Sequence, residues 1–444
     1  MNGEITRRDF MKNASAAAAG LSLGGAVFSA KSYGRIRGAN ERVHFAVIGV
    51  RSRGAEHIKS LSVCDHAAVT HVCDVDRRYL DESAALVRER SGRVPVREKD
   101  IRDVLASKDV DAVTIATPEH WHAPMAIWAM QAGKHVFVEK PCSHNPAEGE
   151  MLIRAQQKTG MRVQMGNQQR SSVHTQEAIR KIRDGIIGRP YYGKAWYSNN
   201  RSGIGVGREV PVPEYLDWEL WQGPAPRRPY RDNVHPYNWH WFRHWGTGET
   251  LNNGTHEVDL CLWALDVQYP KRVKSTGGRY HFDDDWEFYD TLVTGFEYDD
   301  RMITWEGRSC SPMPDHGRGR GVAIHGTGGT VILDRNGYEI YDEDNVKTFV
   351  YENPVRDETL GLGGGGPMTD AHFQNLIDSI RTGEALRSPI EEGNVSVTML
   401  LLSNIAWKTG RTLNLDPETA RIRDDGEAMK LWGREYEKGW EPVV

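Results

Sequence analysis

The residues that invite chemistry stand where apolar runs stop. HVFVEKP places Glu139 and Lys140 directly after Val136, Phe137 and Val138, and Pro141 follows at once. Proline fixes the backbone and removes a donor, so the run ends there, at an X-Pro bond open to the cis form. A lysine at the open end of a buried strand, its pKa lowered by desolvation, can hold a hydroxyl and relay its proton. ATPEHWH closes another apolar run with Thr117 and Pro118, followed by His122, which alone reads as a helix-start residue. IGVRSRG is a turn between an apolar strand and a helical stretch, made of Gly49, Val50, Arg51, Ser52, Arg53 and Gly54. In that context a glycine turn presents backbone N–H groups to a pyrophosphate. The usual pattern is G-x-G-x-x-G; Arg51 takes the second glycine's place and, as a cation, can lie over phosphates. Asp74 ends the next apolar run. An acid there suits the ribose hydroxyls of NAD and repels the 2′-phosphate of NADP, while Arg77 and Arg78 keep NADP open. Together these residues imply a dinucleotide cofactor, NAD with NADP as the alternative.

A second concentration lies in NVHPYNWHWFRHWGTGE, residues 233–249. His235, His240 and His244 with Glu249 match no common zinc spacing, and no metal is expected. Seven of the fourteen tryptophans fall between 196 and 263, so flat aromatic surface gathers in one region. Aromatic faces stack on the C–H-rich faces of sugars while His, Asn and Arg bond hydroxyls. Tyr237, Trp239, His240 and Arg243 are the candidate sugar contacts, with many of the remaining tryptophans expected in packing.

These groups need a scaffold, and the pattern supplies one. From 43 to 152 apolar strands alternate with helical stretches: VHFAVIG, a helix near 54–62, AVTHVCDVD, YLDESAALVRERSG, VDAVTIATP, APMAIWAMQAG, HVFVEKP and PAEGEMLIRAQQKTG, then RVQMGN. Strict strand–helix alternation predicts a doubly wound parallel sheet, the Rossmann arrangement, with ligands at the carboxyl ends of the strands. After about 190 the texture changes to alternating strands with Gly and Asp turns, which predicts a large, mostly antiparallel sheet. TGETLNNGTHEVDLCLWALD reads as a loop entering a helix, and two late helices end in Gly. GLGGGGP, 361–367, reads as a flexible loop. The fold class is therefore α/β in two parts.

The turn at 49–54, DVD at 74–76, ATPEHWHAPMAIWAMQAGKHVFVEKP and GETLNNGTHEVDLCLWAL together resemble the Gfo/Idh/MocA oxidoreductase family over nearly the whole chain. The resemblance implies an N-terminal Rossmann domain and a C-terminal α/β domain whose open sheet faces the cofactor and often forms an oligomer interface. It implies NAD or NADP and substrates among sugars, polyols and their derivatives. It makes Lys140 the catalytic lysine, with Thr117, Pro118, His122 and Glu139 beside it at the cofactor cleft. The family's Asp and His, four apart, correspond to Asn252 and His256. Asn252 cannot take a proton but can orient a hydroxyl, so acid–base work would fall to His256, whose ordinary pKa near 6.5 suits it. Asn167 and Gln168, in MGNQQR, are placed at the substrate in the same terms.

The net charge is -5, with no basic field for nucleic acid. Five cysteines, odd in number and without C-x-x-C, argue against a disulfide framework. TRRDFMKNASAAAAGLSLGGAVFSA carries paired arginines, Arg7 and Arg8, then a weakly apolar run too short to span a membrane. It resembles a twin-arginine (Tat) export signal, which implies a periplasmic or otherwise extracytoplasmic location. The expected organisation is a Tat-type signal at 1–32, a dinucleotide-binding Rossmann domain at 40–165, and a substrate-binding and oligomerisation α/β domain at 166–444 whose last helices partly pack back on the first. The expected partners are a carbohydrate and further copies of the chain, as a dimer or tetramer. The leading functional expectation is an exported NAD(P)-dependent oxidoreductase of a sugar or glycoside ring hydroxyl, holding and recycling its cofactor. The alternative is a redox-neutral NAD-dependent glycoside hydrolase, acting by oxidation, elimination, hydration and reduction. A non-catalytic binding protein is disfavoured by the presence of both Lys140 and His256.

Overall fold

Six strands pair in parallel: β1 (Val43–Ile48), β2 (Ala67–Cys73), β3 (Val96–Glu98), β4 (Ala112–Ile115), β5 (His135–Val138) and β6 (Val163–Met165). Their order across the sheet is β3-β2-β1-β4-β5-β6. The computed structural model describes residues 42–354 and 366–444; the N-terminal segment expected to be a Tat signal and most of GLGGGGP lie outside the described residues. Phe45, Ala46, Val47 and Ile48 are all buried, as a sheet covered on both faces requires of a continuous apolar run. The cover comes from α1 (Arg53–Val63), α2 (Arg77–Ser91), α3 (Ile101–Ala106), α4 (His122–Gln131) and α5 (Pro146–Thr159). Helix α5 shows how locally these are written. The Asn145 side chain accepts the Glu148 N–H at 3.1 Å, Pro146 opens the first turn, and Gly160 closes the helix in the left-handed conformation. The order reverses direction at β1 and β4, and their carboxyl ends open a crevice.

The second sheet has ten strands: β7 (Pro190–Ser198), β8 (Arg272–Gly278), β9 (Thr291–Glu297), β10 (Met302–Arg308), β11 (Arg320–Gly326), β12 (Gly329–Asp334), β13 (Gly337–Asp342), β14 (Lys347–Glu352), β15 (Leu413–Leu415) and β16 (Ile422–Arg423). They run in the order β14-β13-β12-β11-β7-β10-β9-β8-β15-β16. Every adjacent pair is antiparallel except β7 with β10. The α/β class with one parallel and one mostly antiparallel sheet is thus as the sequence predicts. Helices α6 (Val173–Arg183) and α7 (Trp218–Gln222) precede α8 (Gly248–Leu265), which is buried along almost its whole length between the second sheet and the crevice. Asn252 and His256 lie one turn apart on α8, hence on one face. Helix α9 (Pro367–Thr382) packs Phe373, Leu376 and Ile377 into the same core as Phe45 and Phe137, and α10 (Ile390–Thr409) packs on α8. A last short helix, α11 (Gly426–Met429), follows. Strands β14 to β16 and helix α6 have no counterpart in the sequence reading; β15 and β16 have only three and two residues. Among the described residues no helix is long and apolar enough to cross a membrane.

Candidate active site

The turn after β1 is a cradle shaped by two glycines. Gly49 has φ +76°, and a Cβ on it would lie 2.6 Å from the Thr117 amide nitrogen; a Cβ on Gly54 would collide with the Gly49 carbonyl oxygen. Only the missing side chains let the turn approach β4 and enter α1. Ser52, between them, also has positive φ, at 43°. Asp74 ties this turn to the end of β2, accepting the N–H of Val50 at 2.8 Å and of Asp76 at 2.9 Å. Burial pushes its carboxyl up to about 6 against the pull of those donors. Arg51 donates from Nε to the Tyr79 hydroxyl at 3.1 Å. Arg78 is committed elsewhere, paired with Asp76 at 2.8 Å and lying 3.4 Å over the Tyr215 ring.

Lys140 enters the same space from the end of β5. Its Nζ donates to the Asn252 carbonyl oxygen at 2.5 Å and lies 3.3 Å from the Asn252 side-chain oxygen. The Lys140–Pro141 peptide is cis. Burial lowers the lysine's pKa, opposed by the carboxylates of Glu139 and Glu119. Glu139 does not meet the ammonium. It accepts Arg53 Nε at 2.6 Å, His57 Nε2 at 3.1 Å and Gln168 Nε2 at 3.1 Å, and its other oxygen accepts the Lys140 N–H at 3.2 Å. Burial alone would raise this carboxyl, but Arg53, His57 and Lys140 hold it well below the usual range. Gly166 leaves it room: a Cβ there would come within 2.8 Å of Oε2. Glu139 therefore anchors the strand end that presents the lysine and the first turn of α1.

Glu119 is the group the sequence reading passed over. It is buried, accepts the Thr247 hydroxyl at 2.5 Å, and lines the same cavity as Lys140. Burial pushes its carboxyl up to about 7, the Thr247 hydroxyl and Lys140 pulling it down and Glu249 pushing it up. A carboxyl poised near neutrality beside a lysine of lowered pKa is an acid–base pair. Its only signal in the sequence is its place in ATPEHWH at a strand end. Two further arginines shape the opposite wall. Arg201 forks onto Glu249 and donates to the Tyr237 hydroxyl at 3.1 Å, and Arg320 forks onto Glu257 at 2.8 and 2.9 Å. Arg201 follows the end of β7 and Arg320 opens β11, positions that no motif marks.

The cavity holds about 460 Å³ and joins the carboxyl ends of β1, β2, β4 and β5 to α8 and the face of β7. It gathers Gly49, Arg51, Ser52, Arg53, Asp74, Thr117, Pro118, His122, Glu139, Lys140, Gln168, Tyr237, Trp239, His240, Asn252 and His256. Val50 and Gly54 act through the backbone of the turn. Four expectations need correction. His122 offers no free ring nitrogen: Nδ1 faces the Pro141 carbonyl oxygen at 2.6 Å and Nε2 that of Thr117 at 2.8 Å, so it pins two strand ends together. His256 is not poised near 6.5, because burial, then Arg335, Lys140 and Arg320, push it well below that value. Asn167 is buried beside Asp259, outside the cavity. Arg243 lines a different cavity. The tryptophans divide as well: Trp218, Trp221, Trp239 and Trp245 form a buried cluster with Tyr230 and Phe242, and of these only Trp221 and Trp239 reach the cleft. His240 stacks on Trp239 at 3.6 Å and donates from Nδ1 to the Tyr237 carbonyl oxygen at 2.7 Å.

The glycine cradle, Asp74 behind it and the open strand ends fit a nicotinamide dinucleotide. A model of the Gfo/Idh/MocA oxidoreductase family, described by its NAD-binding Rossmann fold, matches residues 43–167. Over 471 aligned residues the chain is 30% identical to a glycosyl hydrolase family 109 protein of Shewanella pealeana, covering 93% of this chain and 99% of the relative. Among solved structures, it is similar in fold to the WlbA dehydrogenase of Bordetella pertussis in complex with NADH and UDP-GlcNAcA, with TM-score 0.63, 20% identity, and 84% and 99% of the two chains covered. It is likewise similar to aldose-aldose oxidoreductase of Caulobacter crescentus complexed with glycerol, with TM-score 0.64, 18% identity, and 84% and 100% covered.

Proposed function

The chain belongs to the Gfo/Idh/MocA family of NAD-binding oxidoreductases, and from that premise we propose that it oxidises a ring hydroxyl of a sugar or glycoside. The observation that carries the reading is the placement of Lys140: its Nζ stands in the cavity of the glycine turn, 2.5 Å from the α8 main chain. The turn at 49–54 and the start of α1 would hold the pyrophosphate, Asp74 the ribose, and Thr117 and Pro118 the nicotinamide end. NAD, when bound, supplies the hydride acceptor. Lys140, kept toward the neutral amine by burial, takes the hydroxyl proton on Nζ. Glu119 receives it in turn, its carboxyl poised near 7. Asn252 and neutral His256 orient hydroxyls, and Trp239, Tyr237 and Trp221 offer faces to a sugar ring.

One observation favours a second reading. A relative covering 93% of the chain is a glycosyl hydrolase family 109 protein, and the Asp expected from the Gfo/Idh/MocA resemblance is Asn252 here. A redox-neutral hydrolase would oxidise a ring carbon transiently, eliminate the aglycone, add water and return the hydride. Aryl glycosides separate the two readings. Accumulating reduced nicotinamide or a keto-sugar without cleavage supports the oxidoreductase; phenol release with no net reduction supports the hydrolase.

The N-terminal segment is read as a Tat signal on the strength of Arg7, Arg8 and the weakly apolar run after them. Export would place the protein where free NAD is scarce. A tightly held cofactor, recycled by a second substrate, follows from that. The open ten-stranded sheet is the surface through which a dimer or tetramer would form.

A further inference from the structure

Away from the cleft lies a second cavity of about 320 Å³, the one that Arg243 lines. Its walls are the turn after Pro141, the loop at 226–228, Arg243 with His244, and Arg434 with Glu435 near the C-terminus. Four arginines (Arg227, Arg228, Arg243 and Arg434) line it, with Glu435 the one lining carboxylate. Elsewhere buried arginines fork onto carboxylates, as Arg170 does on Asp259 and Arg320 on Glu257. Here the pairing is incomplete. Among the described residues, exposed Arg228 and exposed Glu435 form no ion pair, nor does half-buried Arg243, which donates from Nη2 to the Glu287 carbonyl oxygen at 3.2 Å and lies over the Phe288 and Trp407 rings. Arg227 reaches Glu219 and the carbonyl oxygens of Gly223 and Ala225, and Arg434 spends Nε and Nη2 on Glu148 and the His120 carbonyl oxygen. That leaves Arg434 Nη1 and Arg243 Nε buried without an acceptor. A buried donor left unmade is costly, and one on a cation more so. Burial, and after it the positive charges of Arg228 and Arg434, lowers His244 to about 4, although its ring bonds the Pro226 carbonyl oxygen at 2.6 Å.

We propose that this cavity is a binding site for a tetrahedral oxyanion of phosphate or sulfate type, held between Arg228, Arg243 and Arg434. The planar forks of arginine match such oxygens two at a time, which a lysine cluster would not. The volume admits the anion with a small group attached, so the same chemistry serves a free ion or an ester. The site stands apart from the cleft and does not depend on the reaction proposed above.

Titration calorimetry on the full chain tests it, with inorganic phosphate, inorganic sulfate and glycerol phosphate at matched ionic strength and sodium chloride as control. The expected result is one saturable site for phosphate or sulfate, weakened at least about tenfold in Arg228→Ala/Arg243→Ala. Arg434 is left in place because it neutralises buried Glu148. Glu435→Gln, at an exposed position, removes the one lining carboxylate and is expected to tighten binding severalfold. Tighter glycerol phosphate than inorganic phosphate would assign the site to an ester, and the reverse to the free ion. No saturable heat with any of the three anions, or equal binding in the double variant, would overturn the proposal.

Discussion

The Lys140 ammonium and the Asn252 main chain meet at 2.5 Å, although 112 residues separate them in sequence. The lysine is thereby held to the helix that carries Asn252 and His256, with the Asn252 side-chain oxygen 3.3 Å away and uncharged. A carboxylate at that distance favours the protonated lysine. In Asn252→Asp the amine therefore becomes neutral only at higher pH. The rising limb of the kcat/KM profile is expected to move alkaline by roughly one unit or more. An unmoved limb would mean that Lys140 does not titrate in the reaction.

Glu119→Gln acts with the opposite sign. The Glu119 carboxylate raises the affinity of Lys140 for its proton, so removing it lets the amine become neutral at lower pH. The rising limb moves acid-ward while kcat falls by about tenfold to a hundredfold through loss of the proton acceptor. Infrared titration of the protein without substrate gives a readout independent of turnover. A carboxyl band that disappears through about pH 7 in the native chain should be missing from the variant.

Asp74→Ala tests the cofactor cradle. It strips the acceptor from the amides of Val50 and Asp76. Each orphaned donor costs about 1–3 kcal/mol where it stays buried. Lower melting temperature together with weakened NAD binding in a fluorescence titration is the expected pair of results. Weakened NAD binding with unchanged melting would assign Asp74 to the ribose alone.

The parallel half was legible because strands buried on both faces must be apolar throughout, and Gly92, Gly133, Pro118 and Pro141 punctuate them. Lys140 was legible for the same reason: a charge at the end of such a run has to be placed for something. The meeting of Lys140 with Asn252 and His256 was not written in periodicity and came through resemblance. Glu119 is not legible because its poise comes from burial in the folded cleft, tempered by Thr247 and raised further by Glu249, both on a distant segment. Arg243 was misplaced because 233–249 bends through short turns, sending Tyr237, Trp239 and His240 to the cleft and Arg243 and His244 to the second cavity. Local spacing holds no record of that division.

The histidines predict how the fold responds to acid. His57, His120, His122, His144, His240 and His256 are all held below their ordinary value by burial, and His235, His244 and His372 fall to about 4. The unfolded chain takes up these protons near pH 6.5 while the folded chain does not, so stability is lost as pH falls from about 6.5 toward 4. The raised carboxyls of Asp74, Glu119 and Asp259 work the other way, favouring the fold at low pH, but three acids oppose those nine histidines. Melting temperature should fall steeply over that interval in calorimetric scans; a flat profile would mean that the rings are solvated in the folded chain.

On the proposed mechanism Lys140 takes the proton from a sugar hydroxyl whose carbon gives up hydride. The direct measurement is a single-turnover reaction of the NAD-loaded protein with an aryl glycoside, following nicotinamide absorbance and phenol in the same sample, for the native chain and Lys140→Ala. Reduced nicotinamide and a keto-sugar without phenol are expected in the native chain. The variant should react about a hundredfold to ten-thousandfold more slowly while still binding NAD. Phenol release with no keto-sugar and no net reduction, or equal rates in the two proteins, would contradict it.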